Sequence, residues 1–313
     1  MPLKRLRKNI VSSGPVQSAS TWSRTVYLPG FYGFSLFEGS RAFVKQLRQT
    51  SVTERAAAIS FNMVMAIPPT LIFLFTLLPY LPISNQFIQE LYALIRAVVP
   101  GRENNIVIIQ FLDDFLKTPR DGLLSFGLFF ALFFSSNAMM GILRSFDNDY
   151  EGFEKRNGLR KRRIALELTL VSFVIFFFFL FLLIAQGIVL HWIGIKSQAL
   201  RVLIVNARWL FILLLIFYTI SFVYRHGPSI TKKWPFVTPG SVFATSLMLV
   251  ATFLFSYWVE NFSNYNKLYG SISTIFILMS LIYVNALVIL MGFELNVAIA
   301  NLRRQKDLGN IKI

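Results

Sequence analysis

Side chains that could hold a metal ion or activate a nucleophile are sparse in this 313-residue sequence, which has no cysteine. The few candidates are two histidines and two tight acidic pairs: His191, His226, Asp113 with Asp114, and Asp147 with Asp149. A metal-dependent nuclease needs a cluster of such groups to hold ions and to activate water. The sequence also lacks a phosphate-binding GxxxxGK(S/T) loop. It therefore predicts no catalytic, cofactor-binding or metal-binding residue.

The most unusual polar group is a carboxylate inside a long apolar run. The run VILMGFELNVAIA places Glu294 beside Gly292 and Asn296. At 100° per residue of helix, Gly292 and Asn296 each point within about 20° of Asn285. Tyr283 and Glu294 point within about 20° of each other, on roughly the opposite side. Polar groups on both faces predict a helix at the centre of a bundle, where such groups usually mark a pathway or a partner.

Depth decides how costly the Glu294 carboxylate is. If its helix begins at residue 272, helical rise places Glu294 about 33 Å along it, near the cytoplasmic edge of a bilayer. Three arginines are expected at the same level as ion-pair partners: Arg55, Arg144 and Arg163. Two interpretations stay open. Glu294 is either an ion-paired anchor that locks the inner ends of helices, or a carboxylate that gates a cytoplasmic vestibule.

The composition indicates a polytopic membrane protein of the all-α class. Apolar residues make up 55% of the chain and charged residues 15%, whereas soluble domains average about 45–50% and about 25%. A helix crosses the hydrocarbon core of a bilayer with about 20 apolar residues. Six stretches reach this length: residues 56–79, 122–143, 164–193, 203–224, 240–260 and 272–296.

Lysine and arginine in the connections set the orientation of such a protein. Alternate connections hold 23 of them on one side and seven on the other, which predicts six transmembrane helices with both termini in the cytoplasm. Contacts with anionic lipids at the cytoplasmic face then account for the net charge of +16 without any nucleic acid. Between the first two helices, helical spacing on both sides of Pro100-Gly101 predicts a helical hairpin, about residues 84–118, on the extracytoplasmic side.

These features divide the chain into three predicted parts. Residues 1–54 form a basic cytoplasmic segment, residues 55–300 the six-helix membrane domain, and residues 301–313 a basic cytoplasmic tail. Within the first part, residues 31–49 can place apolar side chains on one helical face and cations opposite. This pattern is typical of an interfacial helix, and an ordinary cytosolic helix packed on the membrane domain fits it equally well.

Polar and helix-breaking residues also mark the first two spans. The first span has Asn62 at mid-depth and then Pro68, which predicts a break that faces protein or a water-filled cavity, with a structural kink between helices as the alternative. The second span carries Asn137. Beside it runs a stripe of small residues: Gly127, Ala131, Ser135 and Ala138. Such a stripe suits close helix contact, either within the protomer or in a homo-oligomer.

Several of these residues carry a resemblance to a known family. Over about residues 40–300 the chain resembles the YihY/BrkB family of bacterial inner-membrane proteins. The matching elements are Pro239-Gly240, Tyr265, Tyr269-Gly270-Ser271, Tyr283 and Gly292-x-Glu294-x-Asn296. The resemblance implies a six-span helical bundle with cytoplasmic termini, placed in the bacterial inner membrane. It also implies a role described as transport or export, with links to envelope integrity and virulence, beside an old label as ribonuclease BN.

Three functions follow from these observations, in decreasing order of support. The first is a carrier or flippase for a small solute, an ion or a lipid-like amphiphile; the second is a non-transporting scaffold for envelope integrity; the third is a ribonuclease. The candidate pathway or gating residues are Glu294, Asn296, Gly292, Asn285, Tyr283, Asn62, Asn137, Pro68, Tyr269 and Gly270, of which the last two could instead form a turn. The expected partners are the lipid bilayer and further copies of the chain, with no cofactor and no nucleic acid.

Overall fold

The computed structural model describes residues 14–309, except for most of 81–119 and for 148–149, 151–152, 155, 193–197 and 262–270. Within these residues the fold is all-helical, and its only strand-like pairings are isolated bridges between Tyr27 and Ser35 and between Phe153 and Ile230. The helices are α1 Gly14–Thr25, α2 Leu36–Gln49, α3 Val52–Leu77, α4 Asp121–Phe146, α5 Gly158–Trp192, α6 Gln198–His226, α7 Pro239–Asn261 and α8 Ser271–Asp307.

Each of the six stretches predicted to span a membrane coincides with one long helix, from α3 to α8. Four lie entirely within their helices, whereas residues 56–79 pass the end of α3 by two residues, into a 3-10 turn at Leu78–Tyr80, and residues 164–193 pass the end of α5 by one. Among the described residues, four segments are long and apolar enough to cross a bilayer: Val52–Tyr80, Asp121–Phe146, Pro239–Trp258 and Ile275–Asp307. That α5 and α6 also cross, and that both termini are cytoplasmic, stay predictions. The helix α8 does not end with the predicted span at residue 296, because it continues through 11 further residues into the basic tail.

Most of the predicted outer hairpin, residues 84–118, lies outside the described residues, as do Tyr269 and Gly270. The described part contains one link across the hairpin, a hydrogen bond from the Tyr92 hydroxyl to the Asp113 carboxylate. That link joins the two segments that the sequence separates at Pro100-Gly101. The side of the membrane on which the hairpin lies stays a prediction.

The chain forms two compact units. The first comprises Met1–Ala57, Ser145–Lys155 and Ile220–Ile313, and the second comprises Ala58–Arg144 and Arg156–Thr219. Three helices, α3, α4 and α6, contribute residues to both units. The described part of the predicted N-terminal segment belongs to the same unit as α7 and α8, and the division of the chain into three parts stays a prediction.

In the second unit, α3 corrects the expectation of a broken first span. The helix continues from Val52 to Leu77 with Pro68 inside it, and Pro68 lies on an exposed face. The small-residue stripe of α4 is used within the protomer. Gly127 packs against the backbone of Phe73 in α3, where an added Cβ would lie 3.2 Å from two backbone atoms, and Ala131 is completely buried.

In the first unit, α2 rests on the other helices. It starts with a capping box, in which the Ser35 hydroxyl accepts from the Glu38 N–H and the Glu38 carboxylate accepts from the Ser35 N–H at 2.9 Å. Its apolar side packs on α7 and α8, where Phe43 meets Phe243 edge to face with ring centroids 5.7 Å apart. Phe43 also packs against the buried cluster of Phe31, Leu295 and Ile299. The structure thus shows one side of α2 packed on protein, and its position at the membrane interface stays a prediction.

Candidate functional site

Glu294 lies at the centre of a network of side chains in the first unit. The carboxylate is completely buried, and one of its oxygens, Oε1, accepts from Arg55 Nη2 and, at 2.6 Å, from the Tyr150 hydroxyl. The other oxygen, Oε2, accepts from Gln46 Nε2 at 3.0 Å. We call these four residues the Glu294 network. They join α2, α3, α8 and the connection between α4 and α5.

Arg55 supplies the positive charge that offsets the cost of burying the Glu294 carboxylate. Its side chain is 13% exposed and forms an ion pair with Glu294. Its second terminal nitrogen, Nη1, donates to the Ser145 carbonyl at 2.7 Å and approaches the Tyr150 hydroxyl at 3.1 Å. Buried ion pairs are tolerated only when further hydrogen bonds satisfy the remaining donors and acceptors. The Ser145 carbonyl and the Tyr150 hydroxyl do this for Nη1, whereas the Arg55 Nε is buried and has no hydrogen-bond partner among the described residues.

The structure selects one of the three arginines proposed as partners. Among the described residues, the side chains that donate to Glu294 are those of Gln46, Arg55 and Tyr150. The expectations for Arg144 and Arg163 are therefore wrong. Arg163 pairs instead with Glu167, one helical turn along α5 and mostly exposed.

Two members of the network, Gln46 and Tyr150, were not found from the sequence. Gln46 had a weak signal, because it lies one turn after Phe43 and so near the apolar side of α2 that faces protein. Tyr150 had none, since it lies in the irregular connection between α4 and α5. Burial, and secondarily the negative charge of Glu294, raise the pKa of the Tyr150 phenol above its ordinary value of 10.0. At neutral pH the phenol is therefore a proton donor to the carboxylate.

Gly292 and Asn296 form a different joint, between α8 and the start of α7. Asn296 accepts from the Gly240 backbone N–H at 2.8 Å and donates to the Thr238 hydroxyl at 3.0 Å. That hydroxyl also accepts from the Ser241 N–H and so caps α7. Gly292 permits the close approach, because an added Cβ would lie 2.6 Å from the Gly240 carbonyl oxygen. The α7–α8 joint is thus fixed through backbone groups.

Aromatic side chains pack around the Glu294 network and the α7–α8 joint. Phe293 stacks on Phe146 with ring centroids 3.9 Å apart and is completely buried. It also contacts the rings of Tyr224 and Trp234, at centroid distances of 6.2 and 5.6 Å. The Tyr224 hydroxyl donates to the Ile289 carbonyl of α8. This packing excludes water from the region around Glu294, which strengthens its hydrogen bonds.

Asn285 and Tyr283, the other predicted polar residues of α8, take part in neither joint. The Asn285 amide donates to the Leu281 carbonyl of its own helix at 3.0 Å. Its oxygen Oδ1 is buried and has no hydrogen-bond partner among the described residues. Tyr283 is half-buried. Their part in a pathway stays a prediction.

Asn62 and Asn137 lie in the second unit. Asn62 donates to the Ala58 carbonyl one turn earlier in α3, at 2.8 Å. The Asn137 oxygen accepts from Arg162 Nη1 of α5 at 2.6 Å. The guanidinium of Arg162 also lies over the Phe133 ring, 5.3 Å from its centroid. Asn137 is therefore an acceptor for a cation near the start of α5, a role that the sequence did not predict for it.

A groove of about 470 Å³ lies between α2 and the end of α8. Its polar lining includes Arg41, Lys45 and Gln46 from α2 and Asn301 and Gln305 from α8. We call it the α2–α8 groove. Its volume is within the range of about 300–1,000 Å³ that is usual for small-molecule sites. Gln46 belongs to both the groove and the Glu294 network.

The part of the chain that the structure describes contains no group of three His, Cys, Asp or Glu side chains placed to hold a metal ion. Glu294 is bound by Arg55, and Glu38 accepts from the Ser35 N–H and hydroxyl.

Comparisons with known proteins find relatives that include membrane proteins. The chain is 31% identical to the ribonuclease-like protein YfkH of Bacillus subtilis (strain 168) over 258 residues, which cover 81% of this chain and 91% of that protein. It is 30% identical over 89 residues to a UPF0761 membrane protein of Tolumonas auensis, covering 28% and 30% of the two chains. A third relative, the UPF0761 membrane protein Smlt0865 of Stenotrophomonas maltophilia (strain K279a), is 29% identical over 93 residues, or 30% and 22% of the two chains.

No solved structure matches the chain. The family described as virulence factor BrkB matches residues 43–311, a range that includes the last turns of α2, the Glu294 network and the whole of α7 and α8. The family and the apolar helices together make this a membrane protein, and the chain belongs to the BrkB family.

Proposed function

We propose that this protein is a carrier that moves a small solute, an ion or a lipid-like amphiphile across the bacterial inner membrane. In this proposal the Glu294 network is a cytoplasmic gate that holds the closed conformation. Glu294, Arg55 and the shared residue Gln46 are its working parts. The protein is not an enzyme in this proposal, and the ribonuclease-like name stays with the relative that carries it.

The contrast between the two joints on α8 carries the proposal. Asn296 accepts a hydrogen bond from the Gly240 backbone N–H at the start of α7. Breaking that bond would leave a buried backbone donor of α7 without an acceptor. Glu294 lies half a turn away, and all three of its donors are side chains. Side-chain rotations can therefore open the Glu294 network while α7 and α8 stay joined. A carrier needs such an element with two arrangements.

The cost of the Glu294–Arg55 pair supports the same conclusion. Ionisable groups at membrane depth are rare and usually functional, and a buried ion pair often contributes less to stability than apolar side chains of similar volume would. The pair lies where α2, α3 and α8 meet. A ligand in the α2–α8 groove would touch Gln46. Gln46 could then exchange its hydrogen bond to Glu294 for one to the ligand.

Reconstituted vesicles test the proposal, and the absence of native cysteine makes a reversible clamp available. Gln49→Cys and Gln305→Cys both line the groove, one on α2 and one on α8, so a cleavable bifunctional thiol reagent would tie the two helices together. We expect flux of at least one member of a panel of fluorescent lipids and labelled ions to stop on crosslinking and to return when the reagent is cleaved. Gln49→Cys alone, labelled with the same reagent, controls for its bulk.

Folded protein that moves no member of a broad panel would contradict the carrier. If flux continues in the crosslinked double variant, the protein is still a carrier, but the proposal that the Glu294 network gates it is refuted.

A scaffold for envelope integrity is the second candidate, and one observation favours it. Aromatic side chains of α1 and of the turn after it are strongly exposed: Trp22 by 62%, Tyr27 by 64% and Tyr32 by 45%. Exposed apolar patches mark surfaces that meet a partner or a membrane. Crosslinking from Trp22→Cys in cells separates the candidates, because a scaffold requires a defined protein partner at this surface.

A further inference from the structure

We infer that the α2–α8 groove binds a phosphate group, carried either by an anionic lipid or by a soluble phosphate ester. The site names a substrate or regulator class for the proposed carrier and to that extent rests on it. Its binding chemistry follows from the groove alone.

One helical face of α2 supplies the cations. Arg41 and Lys45 lie one turn apart and both line the groove. Both are exposed, and neither forms a salt bridge with a described acidic residue. The acid in the lining, Glu38, is engaged at the N-terminus of α2, where Ser35 N and Oγ donate to its Oε2 at 2.9 and 3.0 Å. Two cations thus remain available to an anion.

The opposite wall supplies neutral donors and an apolar surface. Asn301 and Gln305 lie one turn apart on α8, and their amides can donate to phosphate oxygens. Ala298 and Leu302, on the same wall, offer an apolar surface beside them. Phosphate is matched well by an arginine fork with neutral donors around it. A cationic ligand would meet two like charges in the same groove.

The position of the groove favours the lipid source. The helix α8 has 37 residues, so it is about 55 Å long and exceeds the hydrocarbon core of about 30 Å. Ala298 to Gln305 lie about 6 to 16 Å beyond Glu294 along the helix. If Glu294 marks the edge of the hydrocarbon core, the groove opens into the headgroup layer. The apolar side chain of Val44, adjacent to Lys45, is 46% exposed and can meet acyl chains.

Protection of a thiol measures binding without any need for transport. Full-length protein with Gln49→Cys carries its only thiol in the groove, and Leu159→Cys places the thiol at a site that is 88% exposed and outside it. In detergent micelles, short-chain phosphatidic acid should slow maleimide labelling of Gln49→Cys about tenfold and leave Leu159→Cys unchanged. Short-chain phosphatidylcholine in equal amount is the zwitterionic control.

Removing both cations tests the assigned contacts. In the double variant Arg41→Gln with Lys45→Gln, the concentration of phosphatidic acid needed for half-maximal protection should rise about ten- to hundredfold. This is the loss expected when charge-assisted hydrogen bonds are removed. Arg160→Gln with Lys232→Gln removes the same charge at exposed positions outside the groove and should leave protection intact. An equal loss in both double variants would show general charge attraction and overturn the site.

Inorganic phosphate and glycerol 3-phosphate distinguish the source. Protection by the lipid alone supports a lipid headgroup site, and protection by the soluble compounds as well supports a site for a soluble phosphate ester. Protection by neither overturns the inference. If lipid protects the thiol of Gln49→Cys but the reconstituted protein shows no flux, the phosphate site stands and the carrier proposal is refuted. If the protein shows flux but no protection, the carrier proposal stands and the phosphate site is refuted.

Discussion

Replacing either partner of the Glu294–Arg55 pair by methionine should destabilise the protein strongly. Glu294 is 0% exposed and the Arg55 side chain 13% exposed, so each single change leaves a charge buried without its counter-ion. Such a loss costs about 3–5 kcal/mol. With about 2 °C per kcal/mol, the lower end for domains of about 150–250 residues, the expected fall in Tm is about 6–10 °C.

Removing both charges should cost less than removing either one. Arg55→Met with Glu294→Met replaces the pair by apolar side chains of comparable length, a kind of change that is often neutral or stabilising. The residual loss should come from Gln46 and Tyr150, whose donors to Glu294 are then left without an acceptor. Thermal unfolding in detergent micelles, followed by tryptophan fluorescence, compares the four proteins.

A surface pair provides the matched control. Arg163 and Glu167 have the same ionic partnership but are 82% and 58% exposed, so methionine at either position should change stability by no more than about 0.5 kcal/mol. The reasoning fails if the Arg55 and Glu294 single variants resemble this control. It also fails if the effects of Arg55→Met and Glu294→Met simply add, since that would show no interaction between the two side chains.

Other predictions concern the α7–α8 joint and Tyr150. Gly292→Ala should destabilise the protein by about 1–3 kcal/mol, because its Cβ would lie 2.6 Å from the Gly240 carbonyl oxygen; Gly122→Ala, which has nothing within 4 Å, should not destabilise it in the same melt. Asn296→Ala should cost about 1–3 kcal/mol in urea unfolding, since the Gly240 N–H loses its buried acceptor, and a smaller cost would place water there. Because the folded-state pKa of Tyr150 is raised above 10.0, its contribution to stability should be complete below about pH 10 and fall as pH rises through the raised pKa. In a pH series of melts, Tyr150→Phe should lack this alkaline fall, and an unchanged profile would refute the assignment.

The helices themselves could be predicted from the sequence because their cause is local. A run of about 20 apolar residues is helical in a bilayer, since no other conformation satisfies its backbone hydrogen bonds there. All six predicted stretches accordingly match helices to within two residues. The end of α8 was missed, because the polar residues from Arg303 to Asp307 carry no apolar signal, and the preceding turn is held by packing of Ile299 in a buried cluster with Phe31.

Glu294 could be singled out from the sequence, since a carboxylate in an apolar run is unusual in itself. Its partners could be narrowed only to arginines at one level of the membrane, as side-chain contacts depend on how α2 and α3 approach α8. The structure chose Arg55 and added Gln46 and Tyr150.

Glu294 and Asn296 show the difference between what the sequence determines and what tertiary packing decides. Composition, charge distribution and periodicity determined by themselves that this chain is a helical membrane protein and that α8 has two polar faces, because these properties depend on the order of residues along one helix. Tertiary structure decided what each face does. Asn296 meets the backbone at the start of α7 and Glu294 meets three side chains, since each depends on residues that are distant in the sequence and are brought together only by packing.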